Sequence, residues 1–111
     1  MRLCLLICLV VSCIERPEPP SGTLSQAKMV QILTDIHIAE GKTSRFSFRS
    51  QDSSKVMFKK FEQDILHKYH TDTTTYRKSL QFYLENTSYL DEIYQAVVDS
   101  LNLREKLGKI D

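Results

Sequence analysis

The chain has 111 residues, 41% of them apolar and 26% charged, which is enough for one modest core and too apolar for a disordered polyelectrolyte. A formal net charge of +1 leaves no basic footprint of the kind that nucleic-acid binders carry. Only 3 Gly and 3 Pro are present, which favours long helices over a turn-rich sheet, and all 3 Cys lie at or before position 13, which rules out a disulfide framework through the body.

The chain opens with one cation, Arg2, and an unbroken apolar run over residues 3–11. Charged, apolar and small residues in that order make a secretory signal peptide. The run is too short for a membrane span, which needs about 20 residues. A buried first strand or helix fits poorly, because Pro17, Pro19 and Pro20 follow at once. Val10-Val11-Ser12-Cys13 resembles a bacterial lipobox, with an aliphatic residue three before the cysteine and a small residue at the cut. The resemblance implies cleavage before Cys13 and a diacylglyceryl thioether on its sulfur, usually with an acylated amine. Two or more acyl chains hold a protein firmly to a bilayer. No Asp follows Cys13 directly, the residue that in enteric lipoproteins resembles an inner-membrane retention signal, so the resemblance implies the outer membrane. The proline-rich stretch after Cys13 reads as an extended spacer, at roughly 3.1 Å per residue able to hold a domain about 30 Å from the lipid. The expected divisions are residues 1–12 for the signal peptide, 13–24 for lipidated Cys13 and tether, and 25–108 for a helical domain.

Beyond the tether the apolar spacing is helical. Met29, Ile32, Leu33, Ile36 and Glu40 share one face of a first helix, with Glu40 a polar intruder. Thr23 or Ser25 can cap its start and Gly41 can end it. The polar stretch over residues 41–54 reads as a loop. It includes Arg45-Phe46-Ser47-Phe48-Arg49, which alternates like a strand but is too short for a sheet. A second helix is expected over residues 53–69, with Phe58, Phe61, Ile65 and Tyr69 inward and Met57 and Leu66 flanking. Asp72 or Thr73 can cap a third over residues 74–85, with Tyr76, Leu80, Tyr83 and Leu84 buried. Ser88 with Asp91 resembles a capping box before a fourth helix, whose stripe is Leu90, Ile93, Tyr94, Val97, Val98 and Leu101. That helix should fray near Gly108. Four amphipathic helices with mostly short connections predict an all-α bundle.

Asp35, His37, Ala39 and Glu40 spell a D-x-H-x-A-E stretch on the first helix. Lys68-Tyr69, Tyr76, Ser79, Phe82-Tyr83 and Leu90-Asp91-Glu92-Ile93-Tyr94 follow. Together they resemble a family of small, uncharacterised Bacteroidetes lipoproteins, over roughly residues 24 to 101. Phe82 stands where that family carries the first of two tyrosines, and lacks its hydroxyl. The resemblance implies a localisation and a fold, and no activity.

A few polar residues sit where chemistry could use them. His37 and Glu40 fall on or beside the apolar stripe, three apart and so neighbours. They make either a small polar site in the bundle or a hydrogen-bonded pair setting helix register, through Tyr76, Tyr83 or Tyr94. Asp35 is two residues from His37 and points elsewhere, as a cap or a surface salt-bridge partner. His67 and His70, with Asp64 and Asp72 near, have a weak zinc-like spacing; a solvated helix end is the plainer reading, and no metal or other cofactor is expected. Phe46 and Phe48, flanked by Arg45 and Arg49, can contact lipid headgroups or a partner, or fold back as a lid. No His-Glu-x-x-His, phosphate loop or Gly-x-Ser-x-Gly is present, and no thiol remains in the body to act as a nucleophile.

These readings lead to a lipid-anchored envelope protein that acts as a non-enzymatic interaction module, its partners being the bilayer and an envelope protein. One alternative is a chaperone-like module for exported chains, which needs an exposed apolar groove. The other is an enzyme using His37 and Glu40, which needs both in one open pocket.

Overall fold

The computed structural model describes residues 16–45 and 51–108. Cys13, Phe46, Phe48 and Arg49 lie outside these residues, as does the side chain of Arg45. The fold is all-α: α1 (Gln26–Arg45), α2 (Gln51–Lys68), α3 (Thr73–Glu85) and α4 (Thr87–Lys106).

The central element is α1, which packs against both α2 and α4; the short α3 packs on α4 and touches α2. Flanked on two sides, α1 is buried at five consecutive positions, Ile32, Leu33, Thr34, Asp35 and Ile36, more than one full turn. Its buried hydroxyls meet the backbone one turn back: Thr34 Oγ1 donates to the Val30 carbonyl and Thr43 Oγ1 to that of Ala39, both at 2.6 Å. Ser25 starts the helix, its Oγ accepting from the Lys28 N–H at 3.1 Å. Gly41 does not end it. The helix runs on to Arg45 because Ala39 and Thr43, on either side of the glycine, are buried, and that packing outweighs the ~1 kcal/mol helix cost of a glycine.

The inner faces are rotated from the expected ones. Among the described side chains of α2 the fully buried one is Leu66, at 2% exposure, while Phe58, Phe61 and Ile65, and Tyr69 just beyond the helix, are half-buried. On α3 Ser79 is buried and Leu84 is exposed; on α4 the stripe is Tyr89, Ile93 and Val97, and Tyr94 and Val98 are exposed. The cause is a narrow seam. The buried row steps by four on α4 and by three then four on α3, and Ser79, Tyr83 and Tyr89 on these rows are bonded by the segment before α1 rather than by another helix.

Asp72 caps α3, its carboxylate accepting from the Thr75 N–H at 2.7 Å. The expected Ser88–Asp91 capping box does not form. A single residue, Asn86, joins α3 to α4 without capping the latter, its amide donating instead to the Phe82 carbonyl at 2.8 Å. Ser88 therefore sits inside the first turn of α4, where its hydroxyl accepts from Arg16 at 3.2 Å. At the end of α2, His70 takes a left-handed φ of 57°. The N–H of His70 bonds the His67 carbonyl and that of Thr71 the Leu66 carbonyl, both at 3.0 Å, which is a Schellman motif with histidine at the usual glycine position.

The leader from Arg16 to Leu24 does not stand free as a spacer. Ser79 Oγ accepts the Leu24 N–H at 2.9 Å, and the Tyr83 hydroxyl donates to the Leu24 carbonyl at 2.7 Å. The Tyr89 hydroxyl donates to the Pro17 carbonyl at 2.9 Å. Arg16 donates to Glu92 at 2.7 Å and lies 4.0 Å over the Tyr89 ring. Phe82, Tyr83 and Tyr89 pack with centroids 5.2 to 5.8 Å apart beneath it. A proline-rich segment has its own carbonyls and few N–H groups to satisfy, and tyrosine hydroxyls supply the missing donors.

Candidate functional site

The site that the fold builds is centred on Asp35, not on His37 and Glu40. Asp35 is 9% exposed, and three side chains from two other elements converge on it. The Tyr69 hydroxyl donates to Oδ2 at 2.6 Å and Lys68 Nζ to the same oxygen at 3.1 Å; Arg104 Nη1 donates to Oδ1 at 2.7 Å. Lys68 is the last residue of α2 and Tyr69 follows it in the turn, while Arg104 comes from the last turns of α4. One carboxylate in the middle of α1 thus ties both flanking helices to it. The expectation that Asp35 points away to the surface is corrected here: a helix packed on two sides has no single outer face at that level.

Burial alone would push the Asp35 carboxyl up, but the bonds from Tyr69, Arg104 and Lys68 outweigh it, and the group sits below the usual carboxylate range. The same bond to Asp35 raises Lys68. Burial, then the Asp35 contact, raises the Tyr69 phenol. At neutral pH the knot is an ionised carboxylate between two cations.

Beside it opens a cleft of about 320 Å³. Ile38, Ala39, Phe61 and Ile65 give it apolar walls, and the cations of Lys42, Lys68 and Arg104 line it together with Asp64. Neither His37 nor Glu40 lines it. Their side chains are 45% and 55% exposed and 3.6 Å apart, on the strip of α1 that neither neighbour covers. The expected buried pair, whether a site or a register device, is therefore absent, and the cleft beside Asp35 is not a pocket shared by His37 and Glu40. Tyr76 is buried, and desolvation, with Glu62, Tyr94 and Glu40 adding, pushes its phenol up to about 12.

His67 and His70 are exposed at the end of α2. Asp72 is engaged as a cap, and Asp64 lies 3.6 Å from Lys60. Among the described residues no group of three or more His, Cys, Asp or Glu is placed to hold a metal ion. None of the described helices is long and apolar enough to cross a membrane.

Sequence reasoning missed Arg104 and undervalued Lys68 and Asp35. A signal existed in part: an acid flanked by Ile32, Leu33 and Ile36 needs a cation, and Lys68 and Arg104 each end an amphipathic stripe.

No curated protein and no solved structure matches the chain. A family described as a domain of unknown function (DUF4296) matches residues 20–107, from the leader clamped by Ser79 and Tyr83 to the end of α4. The chain belongs to that family.

Proposed function

We propose that this is a lipid-anchored protein of the cell envelope, held through Cys13 and working as a non-enzymatic interaction module, in the outer membrane of its cell. The observation that carries the reading is the state of Asp35. Asp35, the buried carboxylate among the described residues, is ionised and bonded on both oxygens, so it holds the fold and has no proton to give at neutral pH. His37 and Glu40 stand in solvent, where their chemistry gains nothing from burial. What the domain offers a partner is the cleft beside Asp35, with apolar walls and the cation of Lys42 in its lining. An acidic, partly apolar segment of an envelope protein fits that chemistry.

The experiment is crosslinking with mass spectrometry in intact cells, comparing wild type with Lys42→Glu and Cys13→Ala. One protein should be captured by wild type and lost in Lys42→Glu, and Cys13→Ala should release the domain from the membrane fraction. Capture unchanged in Lys42→Glu would remove the cleft from the reading. A mature Cys13 without lipid would remove the anchor.

A second reading, a chaperone-like module, is supported by Leu84, Tyr94, Val98 and Leu103, which are 44% to 58% exposed. It requires the purified domain to suppress aggregation of a denatured exported protein, and Val98→Ser with Leu103→Ser to abolish that effect.

A further inference from the structure

The leader fixes how the domain sits on its membrane. We propose that residues 16–24 act as a docked strap, so that the α3–α4 corner is the membrane-proximal end of the domain and the Asp35 cleft its distal end. The inference rests on lipidation of Cys13, proposed above.

The argument is one of reach. A free chain from Cys13 to Leu24 would extend about 34 Å at polyproline spacing, and the body could hang from it in any orientation. Arg16 is instead bonded to Ser88 and Glu92 in the first turns of α4 and stacked on Tyr89. Tyr89 also holds Pro17, while Ser79 and Tyr83 hold Leu24 by both its backbone groups. Between the lipidated residue and this clamp only three peptide units remain. They span at most about 11 Å, whatever their conformation. The α3–α4 corner, Asn86 with Thr87 and Ser88, is thus the part of the folded body held nearest the acyl chains. From Glu92 to Arg104 α4 rises about 18 Å, so the cleft sits at the other end of that helix from the attachment. The strap uses two kinds of bond. Backbone groups of Pro17 and Leu24 are read by buried or half-buried hydroxyls, while the Arg16 contacts are exposed and so sensitive to salt.

The test uses the mature lipidated protein in vesicles of phosphatidylethanolamine and phosphatidylglycerol. Cys4 and Cys8 leave with the signal peptide and Cys13 is blocked as a thioether, so an introduced cysteine carries the only label. Thr87→Cys and Lys106→Cys are each labelled with a fluorophore and read against an acceptor on the lipid headgroups. Energy transfer is expected to be several-fold stronger from position 87 than from 106. In Arg16→Ala with Tyr89→Phe, which keeps the ring, leaves the Leu24 bonds and frees the Arg16–Pro17 end of the strap, the chain from Cys13 regains most of its reach, and the two positions should converge while the circular dichroism stays unchanged. Equal transfer from both positions with the strap intact would overturn the proposal, as would a difference that survives the double substitution. Intact mass separates the two claims. Lipid on Cys13 with equal transfer sinks the strap orientation alone, whereas a Cys13 without lipid sinks the anchor reading and the orientation with it.

Discussion

Asp35→Asn isolates the charge at the centre of the helix knot. The amide keeps the shape of the side chain and its position in the middle of α1. Tyr69 then loses a 2.6 Å bond to an anion and Arg104 a 2.7 Å one. The third partner, Lys68, has a side chain 64% exposed and returns to water at almost no cost, while Arg104, at 33%, recovers part of its solvation. Shielded charge-assisted bonds contribute roughly 1.5–3 kcal/mol each; with that discount the substitution should cost about 2–3 kcal/mol at neutral pH. Urea unfolding of the unlipidated Cys13→Ala chain, followed by circular dichroism, measures it. The sign of the pH dependence is fixed. The folded carboxyl titrates below its ordinary value of about 3.9, so its contribution is complete above that value and is lost as pH falls through the folded one. The gap between wild type and Asp35→Asn should therefore close in acid. Asp72 is also held low, first by its bond from the Thr75 N–H, but it is common to both proteins and cancels. Equal stability at neutral pH, or a gap unchanged in acid, would refute the account of the knot.

His70→Gly should stabilise the domain by about 1 kcal/mol, since glycine removes the left-handed penalty at the end of α2 without touching either Schellman bond; loss of stability would mean that the imidazole has a contact of its own. Leu66→Ala should cost about 2–5 kcal/mol and Leu84→Ala about 0.5 or less, with both read by urea unfolding, and comparable losses would contradict the helix register. Ser79→Ala strands the Leu24 N–H and should cost about 1–3 kcal/mol, with limited proteolysis opening the leader first. The Tyr76 phenol, raised above its ordinary value of about 10, contributes stability that is whole below that pH and lost as pH rises toward 12. Tyr76→Phe should flatten this alkaline limb, as read by urea unfolding at rising alkaline pH.

Much of the fold was legible because helical spacing survives in every segment: Ile32, Leu33 and Ile36 on α1, and Ile93 and Val97 on α4, lie where periodicity puts them. The failures share a cause. A one-sided stripe describes a helix packed on one side, and α1 is packed on two, so Asp35 read as outward and Glu40 as inward when the reverse holds. The burial of Ser79 was not foreseen because its partner is the backbone of Leu24, 55 residues away, and a backbone group leaves no mark in a sequence. Tyr94 and Val98 extend the stripe of α4 past the width of the seam that receives it. Arg104 could not be paired with an acid 69 positions earlier by any local rule.

The doubly packed α1 also determines the order in which the domain can become itself. Synthesis delivers this helix before either neighbour, yet one of the surfaces that shelters it belongs to the last helix made. Until residues near Arg104 have emerged, the newborn chain carries Asp35 beside Ile32 and Ile36 with half its shelter missing, and a stop in α4 before Arg104 strips one flank from the central helix as well as shortening the final one.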